Sequence, residues 1–308
     1  MVEFNHKSVL LQEAVDALSV KENGIYVDAT AGGGGHSSEI AKKLGTSGTL
    51  VAIDRDPDAI AVLTERFADN GKVRIVNEVF DNIKTVLTDI GFEGADGILA
   101  DLGVSSYQLD TAERGFSVHK DAPLDMRMSK KGYSAYNAVN ELSESELADI
   151  IFSYGEEKYA RSIAKNIVKR RADKPIETTF ELCDIISASM PAKAKRDGHP
   201  ARRTFQAIRI YINRELEMLP GALDDMFECL NPGGVLAIIT FHSLEDRIVK
   251  NKFNSLCKGC ICPPDFPVCV CGNKPKGKLP FKSIAPSDEE VSENPRSRSA
   301  RLRAIVKL

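Results

Sequence analysis

Four consecutive glycines, Gly32 to Gly35, separate an apolar run from a segment with helical spacing. Because glycine has no Cβ, a run of glycines lets the backbone pass close to a bound molecule. The first turn of the helix that follows presents backbone N–H groups that the helix itself leaves without partners. A flexible turn also favours glycine, but the position between a predicted strand and a helix favours the binding of a nucleotide-type ligand.

A carboxylate, Asp54, ends the next apolar run. An aspartate at the tip of the second strand can accept hydrogen bonds from both hydroxyls of a ribose. It could instead cap the helix that begins near Pro57, although Asp56 is better placed for that role. Two ligands then compete, a nicotinamide dinucleotide and S-adenosylmethionine. The dinucleotide fingerprint G-x-G-x-x-G starting at Gly32 requires glycine where this chain has Ser37, so we favour the methyl donor.

A second strand-end carboxylate, Asp101, closes the fourth apolar run, within ILADLGVSSYQLD. Open α/β sheets bind ligands at the carboxyl ends of their strands. Asp101 can accept hydrogen bonds from the cationic amino group of a methyl donor or from a substrate amine, and Gln108 offers an amide to either. A buried aspartate that only caps backbone groups is the competing interpretation. The residues alone leave these roles open.

These side chains need a parallel sheet to bring them together. Strand-like apolar runs alternate with helical segments through the first hundred residues, at 25–29, 49–53, 73–76 and 97–100. Such alternation predicts βαβ units, and therefore an α/β fold with a Rossmann-like sheet. The pattern stops after Asp101 and resumes at Gly234, and the apolar alternation at 300–308 predicts a last strand.

The interruption is predicted to be a helical insertion. Ser143 and Glu146 form a capping-box pattern, and Gly155 is a stop signal for the same helix. We expect three parts: the first part of the α/β domain at 1–109, the helical insertion at 110–215, and the second part of the α/β domain at 216–308.

Composition and charge limit the class of protein. The chain of 308 residues is 43% hydrophobic and 28% charged, which excludes fibrous and largely disordered proteins. Residues 160–214 contain 13 Lys and Arg against 5 Asp and Glu, although the net charge of the chain is −3. This local excess suggests a polyanionic partner such as nucleic acid, but a solvated helix face explains it equally well. No apolar run is long enough for a membrane span, and the charged N-terminal residues do not fit a signal peptide, so we expect a cytoplasmic protein with no membrane partner.

Five of the seven cysteines lie in the segment 257–271. Their odd total and their crowding argue against a secreted disulfide framework. Zinc would require four thiolates in a tetrahedral array, and the candidate ligands are Cys257, Cys260, Cys269 and Cys271. However, the second pair has C-x-C spacing instead of C-x-x-C. Unligated or redox-active thiols explain the segment better, and we predict no metal.

Ordered sequence blocks run along nearly the whole chain. They are NHKSVLL at 5–11, VDATAGGGGHS at 27–37, AIDRDPDAI at 52–60, ADLGVSSYQLD at 100–110, RGFS at 114–117, PLDMRM at 123–128, RRTFQAIRIYINREL at 202–216, ITFHSLEDRIVK at 239–250 and NPRSRSARLR at 294–303. In these blocks the chain resembles the bacterial small-subunit ribosomal RNA cytosine-N4 methyltransferase family, also called the MraW or RsmH family. It departs from the family pattern at Ala31, where a larger apolar residue is usual, and at Ala122, where glycine often stands.

The resemblance implies a class I S-adenosylmethionine-dependent methyltransferase fold with an inserted helical domain that recognises RNA. The implied substrate is the N4 amine of a decoding-centre cytidine in 16S ribosomal RNA, within a small ribosomal subunit. No metal is implied. By motif, the implied cofactor contacts are Gly34, Gly35, His36, Asp54, Phe80, Asp101 and Gln108.

The chemistry expected of such a site starts from a weak nucleophile, because the N4 lone pair is delocalised into the cytosine ring. Asp101 and the backbone carbonyls of residues 102–105 are candidate acceptors for the N4 protons, and Asp101 is the candidate catalytic residue. His242 and Glu245 could shape the substrate pocket or simply cap a helix. The chain lacks both the Pro-Cys loop of enzymes that attack cytosine C5 and the D/N-P-P-Y/F signature of other amino methyltransferases.

Other interpretations stay open at this stage. Phe116, Tyr133 and Tyr136 are candidate surfaces for base stacking, although core packing is the commoner use of such residues. A methyltransferase that acts on another RNA, a non-catalytic RNA-binding module and a nicotinamide-linked oxidoreductase are the alternative functions. The sequence does not fix the oligomeric state, and a homodimer is among the alternatives.

Overall fold

The computed structural model describes residues 8–195, 199–263 and 268–308. The chain divides into two compact units. The first unit comprises Met1–Gly103 and Met218–Leu308, and the second unit comprises Val104–Glu217. The sequence pattern had suggested 110–215 for the insertion.

The first unit is built on a seven-stranded sheet in the order β3-β2-β1-β4-β5-β7-β6. Its strands are β1 (Ile25–Asp28), β2 (Thr49–Asp54), β3 (Val73–Asn77), β4 (Ala95–Asp101), β5 (Leu230–Thr240), β6 (Gly277–Lys278) and β7 (Arg301–Lys307). The first five strands pair in parallel, whereas β7 is antiparallel to both β5 and β6. Dinucleotide-binding folds use the order 3-2-1-4-5-6, without an antiparallel strand inserted before the sixth. The prediction of a class I methyltransferase sheet is confirmed.

Helices cover both faces of this sheet. Those of the first unit are α1 (Leu11–Leu18), α2 (Gly35–Lys43), α3 (Pro57–Arg66), α4 (Ile83–Asp89), α12 (Ser243–Leu256) and α13 (Asp288–Glu293). Successive strand residues point to opposite faces. Val27, Val51 and Ile98 accordingly belong to one apolar core, and Tyr26 and Leu50 to the other. Burial on both faces explains why these strands appear in the sequence as continuous apolar runs.

The second unit is helical. Its helices are α5 (Ser106–Asp110), α6 (Ala135–Glu141), α7 (Glu144–Gly155), α8 (Ala160–Arg171), α9 (Thr179–Ala188) and α10 (Arg202–Asn213), and α11 (Glu215–Glu228) contains the boundary to the first unit. The predicted capping box of α7 is confirmed, because the Ser143 side chain accepts a hydrogen bond from the Glu146 backbone and Glu146 returns one. Leu147, Ile163 and Phe205 are buried in one shared core. Among the described residues, no helix is both long enough and apolar enough to cross a membrane.

Candidate active site

Three neighbouring parallel strands end on an aspartate at the same edge of the sheet. β1 ends at Asp28, β2 at Asp54 and β4 at Asp101. The chain after β1 continues to pair with both neighbours, since Ala29 donates to the Leu99 carbonyl and Ala31 to the Ile53 carbonyl. The glycine loop is thereby fixed between the other two strand ends.

The glycine loop is a tight turn. Gly32 and Gly34 have φ values of 51° and 80°, in the left-handed region that glycine adopts at low cost. A Cβ at Gly34 would lie 3.0 Å from Leu63 Cδ2, and a Cβ at Gly35 would collide with the Ser8 hydroxyl. The positive φ of Gly34 therefore favours glycine, and a side chain at position 35 would force the Ser8 side chain to move. The open side of the loop is at Gly32, where the nearest atom to a Cβ would be 3.9 Å away.

Helix α2 starts directly from this loop. Its N-cap is Gly34, which has no side chain to cap the helix, and the Ser37 N–H of the first turn donates to the Asp28 carboxylate. The N–H groups of Gly35 and His36, in the same turn, suit an anionic group such as a carboxylate.

His36, in the first turn of α2, is buried. Its Nε2 lies 3.1 Å from the Val9 carbonyl oxygen. Burial lowers the pKa of His36 to about 4, so the imidazole is neutral at physiological pH. Because a carbonyl only accepts, Nε2 carries the proton and Nδ1 is an acceptor.

Asp28 is a member of the site that the sequence analysis missed. It is 1% exposed and accepts a hydrogen bond from the Ser37 hydroxyl at 2.6 Å. Burial raises the pKa of Asp28 to about 6. Ser37 entered the sequence analysis only as a departure from a glycine fingerprint, yet its hydroxyl stabilises this buried carboxylate. The available signal was that β1, like β2 and β4, ends on an aspartate.

Asp54 supports the glycine loop directly. Its Oδ2 accepts the Gly32 N–H at 2.7 Å, and its Oδ1 accepts the Asp56 N–H at 2.8 Å. Burial raises the pKa of Asp54 to about 6. Asp56, and not Asp54, caps α3, because its side chain accepts the Asp58 N–H at 3.1 Å. Asp54 is therefore placed at the strand end without a capping role, which leaves its remaining lone pairs for a ligand.

The Asp101 carboxylate has a buried oxygen, Oδ1, that accepts no hydrogen bond from the described residues. Burial, together with the negative charges of Asp28, Glu245 and Glu290, raises the pKa of Asp101 well above its usual value. A buried acceptor without a donor is costly. The site therefore fits a cationic donor, such as the ammonium group of S-adenosylmethionine.

The remaining cofactor candidates have ordinary structural environments. Phe80 opens a short 3₁₀ turn after β3 and packs, partly exposed, against the apolar core. Gln108 lies in the second unit, where it is buried and forms a capping box with Ser105 at the start of α5. The Gln108 side-chain oxygen accepts the Ser105 N–H at 3.1 Å.

The other residues considered from the sequence separate into core and surface positions. Glu245 is buried and accepts the Phe241 N–H at 3.0 Å and the His242 N–H at 3.4 Å. The second hydrogen bond belongs to the capping box that His242 and Glu245 form at the start of α12. Phe116 is buried in the core of the second unit, whereas Tyr133 and Tyr136 are exposed. Base stacking is therefore open to the two tyrosines and closed to Phe116.

The cysteine-rich segment assembles a different set of thiols from the one considered above. Cys260, Cys262, Cys269 and Cys271 lie together. Cys257 instead follows directly after α12 and packs at the edge of the apolar core. Cys262 therefore stands in this group where the spacing pointed to Cys257, because α12 extends to Leu256 and holds Cys257 at its end.

Comparison with known proteins identifies the family. The model of the MraW methylase family matches residues 3–308. The ribosomal RNA small subunit methyltransferase H of Clostridium botulinum (strain Loch Maree / Type A3) is 55% identical over 309 residues, covering 100% of both chains. The enzyme of the same name from Lachnospira eligens is 54% identical over 312 residues, covering 100% of this chain and 99% of its own.

One solved structure aligns with nearly the whole chain at low similarity. A putative rRNA-methylase from Clostridium thermocellum aligns with 98% of this chain and 100% of its own, at 13% identity and a TM-score of 0.46. The assignment of this chain to a family does not use that structure. It rests on the family match and on the full-length relatives, which confirm the resemblance seen in the sequence blocks. This chain belongs to the MraW methylase family and is a methyltransferase.

Proposed function

We propose that this chain transfers a methyl group from S-adenosylmethionine to the N4 amine of a cytidine in small-subunit ribosomal RNA. The observation that carries the proposal is the Asp101 carboxylate, whose Oδ1 has no donor among the described residues and whose surroundings are negative. A ligand with positive charge relieves this electrostatic cost. A nicotinamide dinucleotide would add the negative charges of its diphosphate to the same region.

The proposed cofactor contacts follow from the geometry of the sheet edge. Asp101 accepts from the ammonium group, and the N–H groups of Gly35 and His36 in the first turn of α2 face the carboxylate, whereas the Gly34 N–H donates to the Ala31 carbonyl at 2.8 Å and Gly34 contributes only its backbone turn. Asp54 accepts hydrogen bonds from the ribose hydroxyls, since each of its carboxylate oxygens has a second lone pair beyond the one that accepts a backbone N–H. Phe80 lies against the adenine. S-adenosylmethionine supplies an electrophilic methyl group on a positively charged sulfur.

The protein's task at N4 is to hold it in line and to accept hydrogen bonds from its N–H groups as the lone pair becomes localised. The proton that N4 loses after it has gained the methyl group passes to solvent. The end of β4 offers two kinds of acceptor, the Asp101 carboxylate and the carbonyl oxygens of Leu102 and Gly103. Because we assign Asp101 to the cofactor, we assign the two carbonyls to the N4 protons. Such fixed dipoles act without reorganising during the reaction.

RNA binding is proposed for an exposed basic stripe on α8, formed by Arg161, Lys165 and Lys169. The three residues are four positions apart and share one helix face. In the described part of the chain, none of the three side chains has a hydrogen bond or an ion pair with another residue. Other basic residues of this region are already paired, as Arg209 is with Glu215 at 2.8 Å and Lys174 with Glu177 at 3.2 Å. The stripe is therefore available for phosphates.

The physiological acceptor is proposed to be ribosomal RNA within an assembling small subunit in the cytoplasm. The relatives are named as methyltransferases of small-subunit ribosomal RNA. A cytidine inside folded RNA must be unstacked before it can reach a buried cofactor site.

Methyl transfer from isotope-labelled S-adenosylmethionine tests the proposal. The acceptors are small subunits from cells that lack this modification and, in parallel, naked small-subunit RNA. We expect label in the RNA, with the assembled particle as the better acceptor. Binding of adenosylhomocysteine without any transfer to either acceptor would contradict the proposed substrate and leave the cofactor assignment intact.

A further inference from the structure

The segment after α12 gathers four cysteine sulfurs into one cluster. The Sγ atoms of Cys260, Cys262, Cys269 and Cys271 all lie within 4.8 Å of one another. Cys269 and Cys271 are 3.6 Å apart, and Cys271 and Cys260 are 3.8 Å apart. A disulfide bond would bring two sulfurs to about 2.05 Å. All four cysteines are free thiols.

Two of the sulfur–sulfur separations match the edges of a tetrahedron around one metal ion. With Zn–S bonds of about 2.3 Å, a tetrahedral site places its sulfurs roughly 3.8 Å apart. The two separations given above, 3.6 Å and 3.8 Å, agree with that value. An iron–sulfur cluster would hold its cysteines farther apart, because several irons and sulfides lie between them.

Backbone groups already donate to these sulfurs as they would to thiolates. The N–H groups of Ile261 and Asn273 donate to Cys271 Sγ at 3.3 Å and 3.4 Å, and the Val270 N–H donates to Cys262 Sγ at 3.4 Å. Donors of this kind favour the charged form of sulfur. The Asn273 side chain also donates to backbone carbonyls on the opposite arm, which ties the two pairs of cysteines together.

Apolar burial does not hold this segment together. No described residue between positions 257 and 276 is buried. Its larger apolar side chains point outward, with Ile261 63% exposed, Val268 69% and Val270 72%. A segment of this size without a hydrophobic core usually depends on a disulfide or a metal for a fixed structure.

We propose that Cys260, Cys262, Cys269 and Cys271 bind one Zn²⁺ as a structural site. Four protein ligands close the coordination shell, so the ion has no position for water or substrate and takes no part in methyl transfer. Four thiolates around a divalent ion leave a net charge of about −2. Lys258 and Lys274, which flank the four cysteines in the sequence, provide positive charges that offset it.

A matched pair of cysteine variants tests the site. The full chain is purified without chelators under reducing, oxygen-free conditions, and its metals are measured by mass spectrometry together with titration of reactive thiols. We expect about one zinc per chain in the wild type and in Cys257→Ser, and less than roughly a tenth of that in Cys262→Ser. Cys257 is the control because it belongs to the same segment and lies outside the cluster.

A second measurement guards against a Cys262→Ser variant that merely folds poorly. Zinc in the wild-type chain is exchanged for Co²⁺, whose absorption spectrum reports a tetrahedral site with sulfur ligands. Strong sulfur-to-cobalt charge-transfer bands that disappear when Zn²⁺ is added back would support the proposal. Four freely titratable thiols with no bound zinc, two disulfides, or iron in place of zinc would each overturn it.

Discussion

His36 Nδ1 lies 3.9 Å from Asp101 Oδ2, and both atoms are hydrogen-bond acceptors when the Asp101 carboxyl group is ionised. The His36 proton is on Nε2, which bonds the Val9 carbonyl, and the low pKa of the buried imidazole keeps the ring neutral. Two acceptors facing each other across this distance require a donor from elsewhere. An ammonium group, which offers several N–H donors and a positive charge, meets that requirement.

Asp101→Asn should weaken the binding of adenosylhomocysteine by roughly 10- to 100-fold, since a hydrogen bond to a charged group contributes about 1.5–3 kcal/mol. Calorimetry measures the affinity. Methylthioadenosine is the control ligand, because it keeps the adenosine and lacks the amino acid. Its affinity should be unchanged by the substitution. Equal losses for both ligands, or no loss for either, would exclude the ammonium assignment.

Cofactor affinity should depend on pH through Asp101. A cation binds the ionised carboxylate, whose pKa in the free protein is raised well above its usual value by burial and neighbouring acids. Affinity is therefore complete above that pKa and falls roughly tenfold per pH unit below it, with proton release on binding. Calorimetry in buffers with different ionisation enthalpies counts the protons. The Asp101→Asn variant should lose the proton release that comes from Asp101. An unchanged proton count in the variant would refute the assignment of the ammonium group to Asp101.

Asp54 and Asp56 form a matched pair that separates ligand binding from stability. Asp54→Asn removes an acceptor from the Gly32 or the Asp56 N–H and from the ribose, so cofactor affinity should fall at least about tenfold. Asp56→Ala removes the cap of α3 and should lower the free energy of unfolding by about 1 kcal/mol with little change in affinity. Denaturant unfolding and cofactor titration on both variants measure these effects. Similar affinities for the two variants would contradict the proposed role of Asp54.

The basic stripe of α8 predicts a salt-dependent contact with RNA. Replacing Arg161, Lys165 and Lys169 with Gln should weaken RNA binding and flatten the dependence of affinity on salt by about one counterion per lost phosphate contact. The control is a triple Gln variant of Lys42, Lys84 and Lys174, which removes the same charge from lysines that are already paired with acids. Equal effects of the two triple variants would show that only net charge matters.

The sequence predicted the sheet because both of its faces are buried, so each strand stands out as an apolar run between helical segments. It also placed Asp54 and Asp101 correctly at strand ends, since a strand end is visible where the apolar run stops. Asp28 was missed because its importance lies in its burial and in the Ser37 hydroxyl, which packing brings to it. The close approach of the Ser8 side chain to Gly35 is a contact that no local pattern reveals.

The cysteine cluster is a second case in which packing, and not local sequence, decides which residues come together. Spacing suggested Cys257 as a ligand because it opens a C-x-x-C pair with Cys260. The end of α12 decides otherwise, since the helix reaches Leu256 and holds Cys257 at the apolar core. Cys262 is then the residue that the turning chain brings to the other three sulfurs. Helix ends of this kind depend on tertiary packing more than on local sequence.

The identity of the methylated nucleoside tests the account most directly. Small subunits that lack the modification are incubated with the protein and S-adenosylmethionine, and the RNA is digested to nucleosides for mass analysis beside synthetic standards. We predict N4-methylcytidine as the product, formed by the wild type and lost with Asp101→Asn at limiting cofactor. A methyl group on cytosine C5, on another base, or absent altogether despite cofactor binding would contradict the proposed reaction.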